Sequence, residues 1–311
     1  LRVNGWYTAR VGKIYHMRVP GDIIGGTHGE DLASSWTERF NAPGREAHTA
    51  GDYACLNLNV FSSAATNRQS TRMPHRPFVS VVSDGDGSDQ PDYKAASQAI
   101  RLLRQRLKMR QQRGEKFFLA VGFVRPHYPM VAPADYFDRY PHQGIQIPNV
   151  SPGDLEDIPK VGWGKSTDDS NGIGRYPENK RRMWAAYYAA VSFMDTQVGR
   201  VLDALDELGL RESTMIIFTS DHGYHLGDHG FWQKTNLHEQ VIRVPLIISG
   251  QGYERGRTHS LVELADIYPT ACDAVELEVP ATAQGESLLP ILHDKSVRVR
   301  EAALTIQRNS Y

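Results

Sequence analysis

A short stretch of the chain concentrates side chains that could bind a metal ion and an anion. Residues 219–234 read TSDHGYHLGDHGFWQK. Asp221 and His222 are adjacent donors for a divalent cation, and Lys234 supplies a positive charge for an anion. Gly223 would let the chain turn directly after this pair, so that both side chains could reach one ion. The stretch therefore predicts a metal-centred anion site.

The same residues also have a purely structural interpretation. An isolated Asp-His pair is typical of a turn in which the carboxylate caps the backbone and the imidazole bonds to a carbonyl group. His225, Asp228 and His229 fit either substrate-facing positions or the internal partners of a compact loop, and we assign them no role. Taken alone, the stretch leaves both interpretations open.

Apolar and periodic segments predict the elements that would position this stretch. The run Met-Ile-Ile-Phe at 215–218 predicts a buried parallel strand that ends near Ser220. Ligands collect at the carboxyl ends of strands in open α/β sheets, where Asp221 would lie. The whole pattern predicts strands at 117–124, 215–219 and 245–249, and helices at 93–112, 178–208 and 263–274. This alternation is typical of the α/β class.

Composition describes a globular chain and excludes some classes of partner. The chain has 311 residues, of which 40% are hydrophobic and 23% charged, and its formal net charge is -1. We expect no nucleic-acid partner, because there is no long basic run, and no membrane span, because no apolar run approaches the roughly 20 residues that a span needs. The two cysteines are expected to be buried as small apolar side chains. Segments 21–77 and 141–180 lack periodicity and predict loop-rich insertions.

Four segments, in order along the chain, resemble type I sulfatases of the alkaline phosphatase superfamily, and the iduronate-2-sulfatase branch in particular. The string at 219–234, with VPLII at 244–248, resembles their metal-and-lysine segment. The opening NGWYTARVGKIYH at 4–16 resembles the segment whose lysine and histidine face the nucleophile. A third segment, FLAVGFVRPHYP at 118–129, is similar to the family's strand that delivers a sulfate-contacting imidazole. The fourth, SLVELADIYPT at 260–270, is similar to a helix that follows a late strand of the family.

The resemblance implies a fold and a set of roles. The fold would be an alkaline-phosphatase-like α/β/α sandwich with a mostly parallel central sheet, incomplete here, and residues 1–311 would be a partial catalytic domain. Asp221 and His222 would bind the metal ion. Lys234 and His127 would hold the sulfate group, and Lys13 with His16 would address the formylglycine side of the site. The reaction would be hydrolysis of the sulfate ester of a carbohydrate, or of a sulfated small molecule.

The expected cofactors are one divalent cation and formylglycine. An imidazole ligand favours zinc, manganese or iron, whereas the resemblance implies calcium, which is our expectation. The sulfatase motif C-x-P-S-R or C-x-A-S-R, whose cysteine becomes formylglycine, does not occur at Cys55 or Cys272, nor does an upstream Asp-Asp pair. We therefore expect a fragment that lacks the nucleophile segment and the carboxyl-terminal subdomain, and that is inactive alone. Export from the cytoplasm is a family expectation only.

Two other functions are compatible with the same residues. The first is a phosphomonoesterase, phosphodiesterase or phosphonate hydrolase of the same superfamily, which would share the Asp-His pair. The second is a non-catalytic relative that binds an anion or a carbohydrate. The particular substrate and the oligomeric state do not follow from the sequence.

Overall fold

The computed structural model describes residues 1–65, 68 and 75–306. The chain divides into two compact units, which are described separately. The first comprises Leu1–Ile158, Gly164–Leu208 and His225–Gln233. The second comprises Pro159–Trp163, Gly209–Tyr224 and Lys234–Tyr311.

A parallel three-stranded sheet lies in the first unit. Its strands are β1 (Tyr7–Gly12), β2 (Glu38–Phe40) and β6 (Phe117–Gly122), in the order β2-β1-β6. The register between β1 and β6 runs from Tyr7 opposite Phe117 to Gly12 opposite Gly122, so both strands end at the same edge. β-Branched and aromatic residues make up about half of these strands, and such residues fit a pleated sheet.

A second, mixed sheet of four strands lies in the same unit. It contains β3 (Gly51–Cys55), β4 (Val60–Ser62), β5 (Val79–Ser83) and β7 (Met130–Pro133), in the order β4-β3-β5-β7. β5 and β7 are parallel, whereas β3 is antiparallel to both of its neighbours. A short hairpin of β9 (His225–Leu226) and β10 (Trp232–Gln233) also lies in this unit.

Two long helices supply most of the helical packing. Helix α2 (Pro91–Arg113) begins with proline at its first position and ends at Gly114, whose φ of 65° is left-handed. Ala95 and Leu102 of α2 pack with Ala9 and Val11 of β1 in a buried apolar cluster. Helix α5 (Pro177–Glu207) packs Ala189 and Phe193 against Ala132 of β7. The short helices of this unit are α1 (Gly21–Gly25), α3 (Ala134–Phe137) and α4 (Asp168–Asn171).

Up to residue 306, where its description ends, the second unit contains one antiparallel strand pair and three short α-helices. β8 (Ile216–Thr219) pairs with β11 (Leu246–Ser249), from Thr219 opposite Leu246 to Ile216 opposite Ser249. The helices are α6 (Glu239–Ile242), α7 (Ile267–Asp273) and α8 (Leu289–His293). Asp266, which is fully buried, pairs with Arg300 and accepts the backbone N–H groups of Glu263 and Glu286 at 2.7 and 2.8 Å. This carboxylate ties the chain around residue 286 to the start of α7.

The α/β class with parallel sheet elements is confirmed, whereas some details of the prediction are wrong. β8 was expected to be a buried parallel strand, but it pairs antiparallel with β11 and all four of its residues are partly exposed. Segment 21–77 is not merely a loop region, because β2, β3 and β4 lie within it. Segment 141–176 consists of short helical turns and irregular chain. Cys55 and Cys272 are both buried. Over the described ranges, no helix is long and apolar enough to cross a bilayer.

Candidate active site

Three of the predicted site residues lie together in the second unit. The chain leaves β8 at Thr219 and turns, and the Ser220 hydroxyl donates to the carbonyl group of His222 at 2.9 Å. The His222 Nε2 atom lies 3.5 Å from the Asp221 Oδ2 atom, and the Lys234 ammonium group donates to the same Nε2 atom. Asp221, His222 and Lys234 therefore form one polar cluster.

Gly223 shapes the turn that carries this cluster. Its N–H group donates to the carbonyl group of Val241 at 2.7 Å, at the end of α6. A Cβ atom at this position would lie 2.0 Å from the carbonyl oxygen of Gln240, which is backbone and cannot move aside cheaply. Only glycine permits this close approach of two backbone segments. The sequence therefore fixes where the Asp-His pair emerges from β8.

The hydrogen bonds of His222 determine which of its nitrogens faces the cluster. The Nδ1–H group donates to the carbonyl group of Gly223 at 2.8 Å, because a carbonyl can only accept. The Nε2 atom then carries the lone pair, which is the form in which imidazole binds a metal ion. The side chain of Asp221 is 68% exposed and that of His222 28%, and a metal ion at Nε2 would take the place of the Lys234 hydrogen bond.

The donor set fits part of a divalent cation's shell. Asp221 and His222 offer one carboxylate and one imidazole nitrogen, which are two of the four or more ligands that a divalent ion takes in proteins. Within residues 1–65, 68 and 75–306, no group of three or more His, Cys, Asp or Glu side chains is arranged to hold a metal ion. Asp221 and His222 thus lie next to each other, while their role as metal ligands remains a prediction.

Lys13 and His127 follow neighbouring parallel strands of the first unit. Lys13 comes directly after β1, and its N–H group donates to the carbonyl group of Gly122 at 2.9 Å. A Cβ atom on Gly122 would lie 1.8 Å from the carbonyl oxygen of Lys13, so the two strand ends are in close backbone contact. Because β1 and β6 are parallel, both residues follow the carboxyl edge of one sheet, where α/β proteins bind ligands.

A buried carboxylate, that of Asp92, interacts with the backbone just before His127 and with the charge of Lys13. Asp92, in the first turn of α2, accepts the backbone N–H groups of Val124 and Arg125 at 2.7 and 3.0 Å. Burial raises the pKa of the Asp92 carboxyl, and this effect is opposed by Arg125, by the two N–H groups and by the positive charge of Lys13. His127 itself donates from Nδ1 to the carbonyl group of Tyr128 at 2.8 Å, because a carbonyl oxygen can only accept.

His16 lies on an exposed loop and lines a cavity. The cavity has a volume of about 440 Å³ and is lined by residues 16–18, 22 and 27–30, a set that includes neither Lys13 nor His127. Burial and the nearby Arg10 lower the pKa of His28 at this cavity. The predicted pairing of Lys13 with His16 therefore stays a prediction.

The three residues without an assigned role are involved in packing the β9–β10 loop. His225 is fully buried and its ring centroid lies 5.7 Å from that of Phe231. Asp228 Oδ2 accepts the N–H group of Leu226 at 3.5 Å. The Nδ1 atom of His229 lies 2.7 Å from the Oδ2 atom of Asp154. These contacts favour the compact-loop interpretation for His225 and Asp228.

Sequence reasoning missed the buried charges around His127. Glu46 and Arg125 form a bidentate ion pair with N–O distances of 3.1 and 3.2 Å, and both side chains are almost completely buried. Asp92 lies just before the helix predicted at 93–112 and received no role. The one available signal was Arg125 itself, because a guanidinium group that ends an apolar strand must find an acid partner.

Solved structures of known enzymes share this fold. A phosphonate monoester hydrolase of Agrobacterium radiobacter superposes with a TM-score of 0.64 over 94% of this chain and 60% of that chain, at 21% identity. Another, from Silicibacter pomeroyi, gives a TM-score of 0.59 and 27% identity over 71% of this chain and 44% of that chain. The chain thus has the alkaline-phosphatase-like α/β fold of these hydrolases.

The sequence places the chain within that class. The model of the sulfatase family matches residues 34–277, and the chain belongs to this family. Iduronate 2-sulfatase of Mus musculus is 31% identical over 89% of this chain and 53% of its own length. A sulfatase of Formosa agariphila is 29% identical over 99% of this chain and 57% of its own length. The chain thus spans about half the length of these curated relatives.

Proposed function

We propose that the protein containing this chain hydrolyses sulfate monoesters, with a sulfated carbohydrate as the substrate class. The observation that supports this proposal most directly is the Asp221, His222 and Lys234 cluster, in which a fixed cation adjoins two donors of the metal-binding type. Displacement at sulfur builds negative charge on the leaving oxygen, and preorganised positive groups stabilise that charge. Membership of the sulfatase family supports the same reaction class.

Asp221 and His222 would hold the divalent cation, which we propose to be calcium. When bound, the ion would act as a Lewis acid on the sulfate oxygens and the nucleophile. Asp221 would supply carboxylate oxygens, which calcium prefers, and His222 would bind through Nε2 because its Nδ1–H group is engaged by Gly223. Lys234 would neutralise charge on a sulfate oxygen as a compact ammonium ion.

Lys13, His16 and His127 would act on the reacting groups through charge and proton transfer. The Nδ1–H group of His127 is engaged by Tyr128, so the Nε2 atom would be the one that holds or moves a proton at a sulfate or alcohol oxygen. Lys13 would contribute a positive charge on the nucleophile side. The proposal assigns the nucleophile to neither Cys55 nor Cys272, because both are buried and neither lies in the formylglycine motif.

The carbohydrate class rests on the relatives. Iduronate 2-sulfatase of Mus musculus is named for a sulfated uronate, and the match extends over most of this chain. A competing proposal is hydrolysis of phosphonate or phosphate esters, which is favoured by the phosphonate monoester hydrolase from Silicibacter pomeroyi at 27% identity. A multifunctional alkaline phosphatase superfamily protein of Trinickia caryophylli is also 34% identical over 58% of this chain.

Side-by-side kinetics on the sulfate and phosphate monoesters of one alcohol would separate these proposals. A phosphate monoester carries about one more negative charge near neutral pH, so a site built for phosphate should prefer it. We expect the full-length protein to hydrolyse the sulfate ester much faster, measured as kcat/KM. Preference for the phosphate ester or a phosphonate would transfer the assignment to the competing class. Absence of turnover on every ester, in a metal-loaded protein, would support a non-catalytic binding role.

A further inference from the structure

Three buried charges lie beneath the turn that presents His127. Arg125 is 4% exposed, and Glu46 and Asp92 are 0% and 1% exposed. The guanidinium group of Arg125 donates to both carboxylate oxygens of Glu46, and Asp92 accepts the two successive N–H groups of Val124 and Arg125. Glu46 thus pairs with the guanidinium group of Arg125, and Asp92 binds the backbone at Val124 and Arg125, all in the interior of the first unit.

Arg125 also holds His127 directly through the backbone. Its Nη1 atom donates to the carbonyl oxygen of His127 at 3.3 Å, and its Nε atom donates to the carbonyl oxygen of Val131 at 3.3 Å. Asp92 fixes the start of the same turn through two N–H groups. The turn is therefore held at its start by a carboxylate and at its end by a guanidinium group.

Such an arrangement is a poor way to stabilise a fold. Burying charged groups has a large desolvation penalty, and apolar replacements of buried ion pairs are often neutral or stabilising. Burial raises the pKa of both the Glu46 and Asp92 carboxyls, with Arg125 opposing the shift in each case. Glu46 also has a left-handed φ of 53°, which costs a non-glycine residue roughly 1–2 kcal/mol. Unfavourable features of this kind concentrate at functional sites.

The buried cluster interacts with His127 and Lys13, two residues to which the proposed function assigns roles in the reaction. The ring of His127 packs on Tyr128 with a centroid distance of 4.3 Å, and its Nδ1–H group is engaged, so its orientation follows that of the turn. The charge of Lys13 acts on the Asp92 carboxyl. One buried carboxylate therefore interacts with the backbone that carries His127 and with the charge of Lys13.

We propose that Asp92 and Arg125 are positioning residues for His127, with Glu46 locking the Arg125 side chain in place. This inference rests on the proposed function, in which His127 contacts the sulfate ester. The three residues would hold the Nε2 atom of His127 in the geometry that the reaction needs, without touching the substrate. A displacement of about 1 Å in a catalytic group can lower a rate by about 100-fold.

The decisive variant replaces both members of the Glu46–Arg125 ion pair by apolar side chains, while Asp92 keeps the two backbone N–H groups that it accepts. Glu46→Leu combined with Arg125→Met, in the full-length protein, should retain the melting temperature within a few degrees. We expect kcat for a sulfate ester to fall 10- to 100-fold, with KM changed less than about threefold. Wild-type kcat in this folded double variant would overturn the proposal.

Two single variants cover the case in which the double variant does not fold. Arg125→Lys keeps the charge but cannot donate to Glu46 and His127 at once, and Asp92→Asn loses one of its two acceptor oxygens. Arg300→Lys, at the buried pair with Asp266 in the second unit, is the matched control. We expect kcat to fall in the first two and not in the control at equal loss of melting temperature. An equal fall in all three would show a general structural effect and overturn the proposal.

A readout that does not depend on activity keeps this test separate from the proposed function. Nitrogen-15 NMR of the histidine side chains reports the tautomer of His127, with a His127→Gln variant to assign its signals. We expect a single Nδ1–H tautomer in the wild-type protein and a mixture in Glu46→Leu with Arg125→Met. An unchanged tautomer would overturn the positioning role even if the enzyme turned out to prefer another ester.

Discussion

The two groups of predicted site residues are held in contrasting ways. In the first unit, Lys13 and His127 follow adjacent parallel strands, and a fully buried carboxylate, guanidinium and carboxylate cluster lies behind them. In the second unit, Asp221 and His222 lie on a turn after a partly exposed strand, and the Asp221 side chain is 68% exposed. The protein itself fixes the first group by internal hydrogen bonds.

The contrast indicates what holds each group of site residues in position. His127 is oriented by neighbours that are already paired, so its geometry should be independent of any bound ion. The Asp221 carboxylate is largely solvated, so a bound cation would contribute much of its order by desolvating and bridging the two donors. Removal of metal should therefore disturb the second group and leave the first unchanged.

The largest expected effect comes from Asp221→Ala in the full-length protein. Loss of this carboxylate should abolish measurable turnover, at least about 10³-fold, because a metal ion supplies several kcal/mol of charge stabilisation. Metal content measured by mass spectrometry should fall in parallel, and added calcium should restore little activity. Asp294→Ala is the control, since this exposed carboxylate accepts hydrogen bonds from Ser296 instead. Unchanged metal stoichiometry in Asp221→Ala would remove this residue from the coordination shell.

A smaller effect is expected from Lys234→Ala. If the ammonium group contacts the transferring sulfate, its loss should lower kcat/KM by about 2–4 kcal/mol of transition-state stabilisation, which is the effect of one preorganised donor. Metal content should stay near the wild-type value, which separates this residue from Asp221. Lys295→Ala, which removes an exposed lysine paired with Glu254, is the control. Wild-type kcat/KM in Lys234→Ala would contradict the assignment.

A substitution at Gly223 is expected to lower the stability of the fold and not to act on the reaction itself. Gly223→Ala would place a Cβ atom 2.0 Å from the Gln240 carbonyl oxygen, so we expect a loss of about 1–3 kcal/mol in the free energy of unfolding. Denaturant unfolding measures this loss. Gly199→Ala is the matched control, because this glycine lies within α5 and a Cβ atom there would meet nothing within 4 Å. Equal stability of both variants would contradict the close backbone approach.

The long helices could be predicted because their sequence signals are local. Helix α2 was predicted at 93–112 and lies at Pro91–Arg113, and helix α5 was predicted at 178–208 and lies at Pro177–Glu207. The range of a helix does not specify which of its side chains are buried most deeply. In α5 these include the small residues Ala186 and Ala189, whereas the bulkier Val191 is only partly buried.

Pairing over long distances could not be predicted. An apolar run such as Ile216–Thr219 indicates a strand but not the direction of its partner, and the antiparallel partner Leu246–Ser249 lies well beyond it in sequence. The short strand β2 fits between loops without a periodic signal. The motif residues Asp221, His222 and Lys234 lie together, as their sequence spacing suggested. Glu46 and Asp92 were missed because burial pairs them with Arg125 across 79 and 33 positions.

The smallest expected effect concerns the beginning of β1, the strand that carries Lys13 at its end. The Tyr7 hydroxyl donates to Glu38 Oε2 at 2.9 Å, and Arg106 lies over the ring at 3.6 Å. Burial, followed by the hydrogen bond to Glu38, raises the pKa of Tyr7 to about 12. Since the unfolded-state pKa is about 10, Tyr7 contributes stability that is fully present below pH 10 and is lost as the pH rises through 12. The difference in melting temperature between wild type and Tyr7→Phe should therefore shrink over that interval, and ultraviolet difference titration of the same pair should show one tyrosinate that forms near pH 12. Titration of this residue near pH 10 would mean that β1 is not held at its beginning. The ordered character of the first group of site residues would then rest on the buried cluster alone.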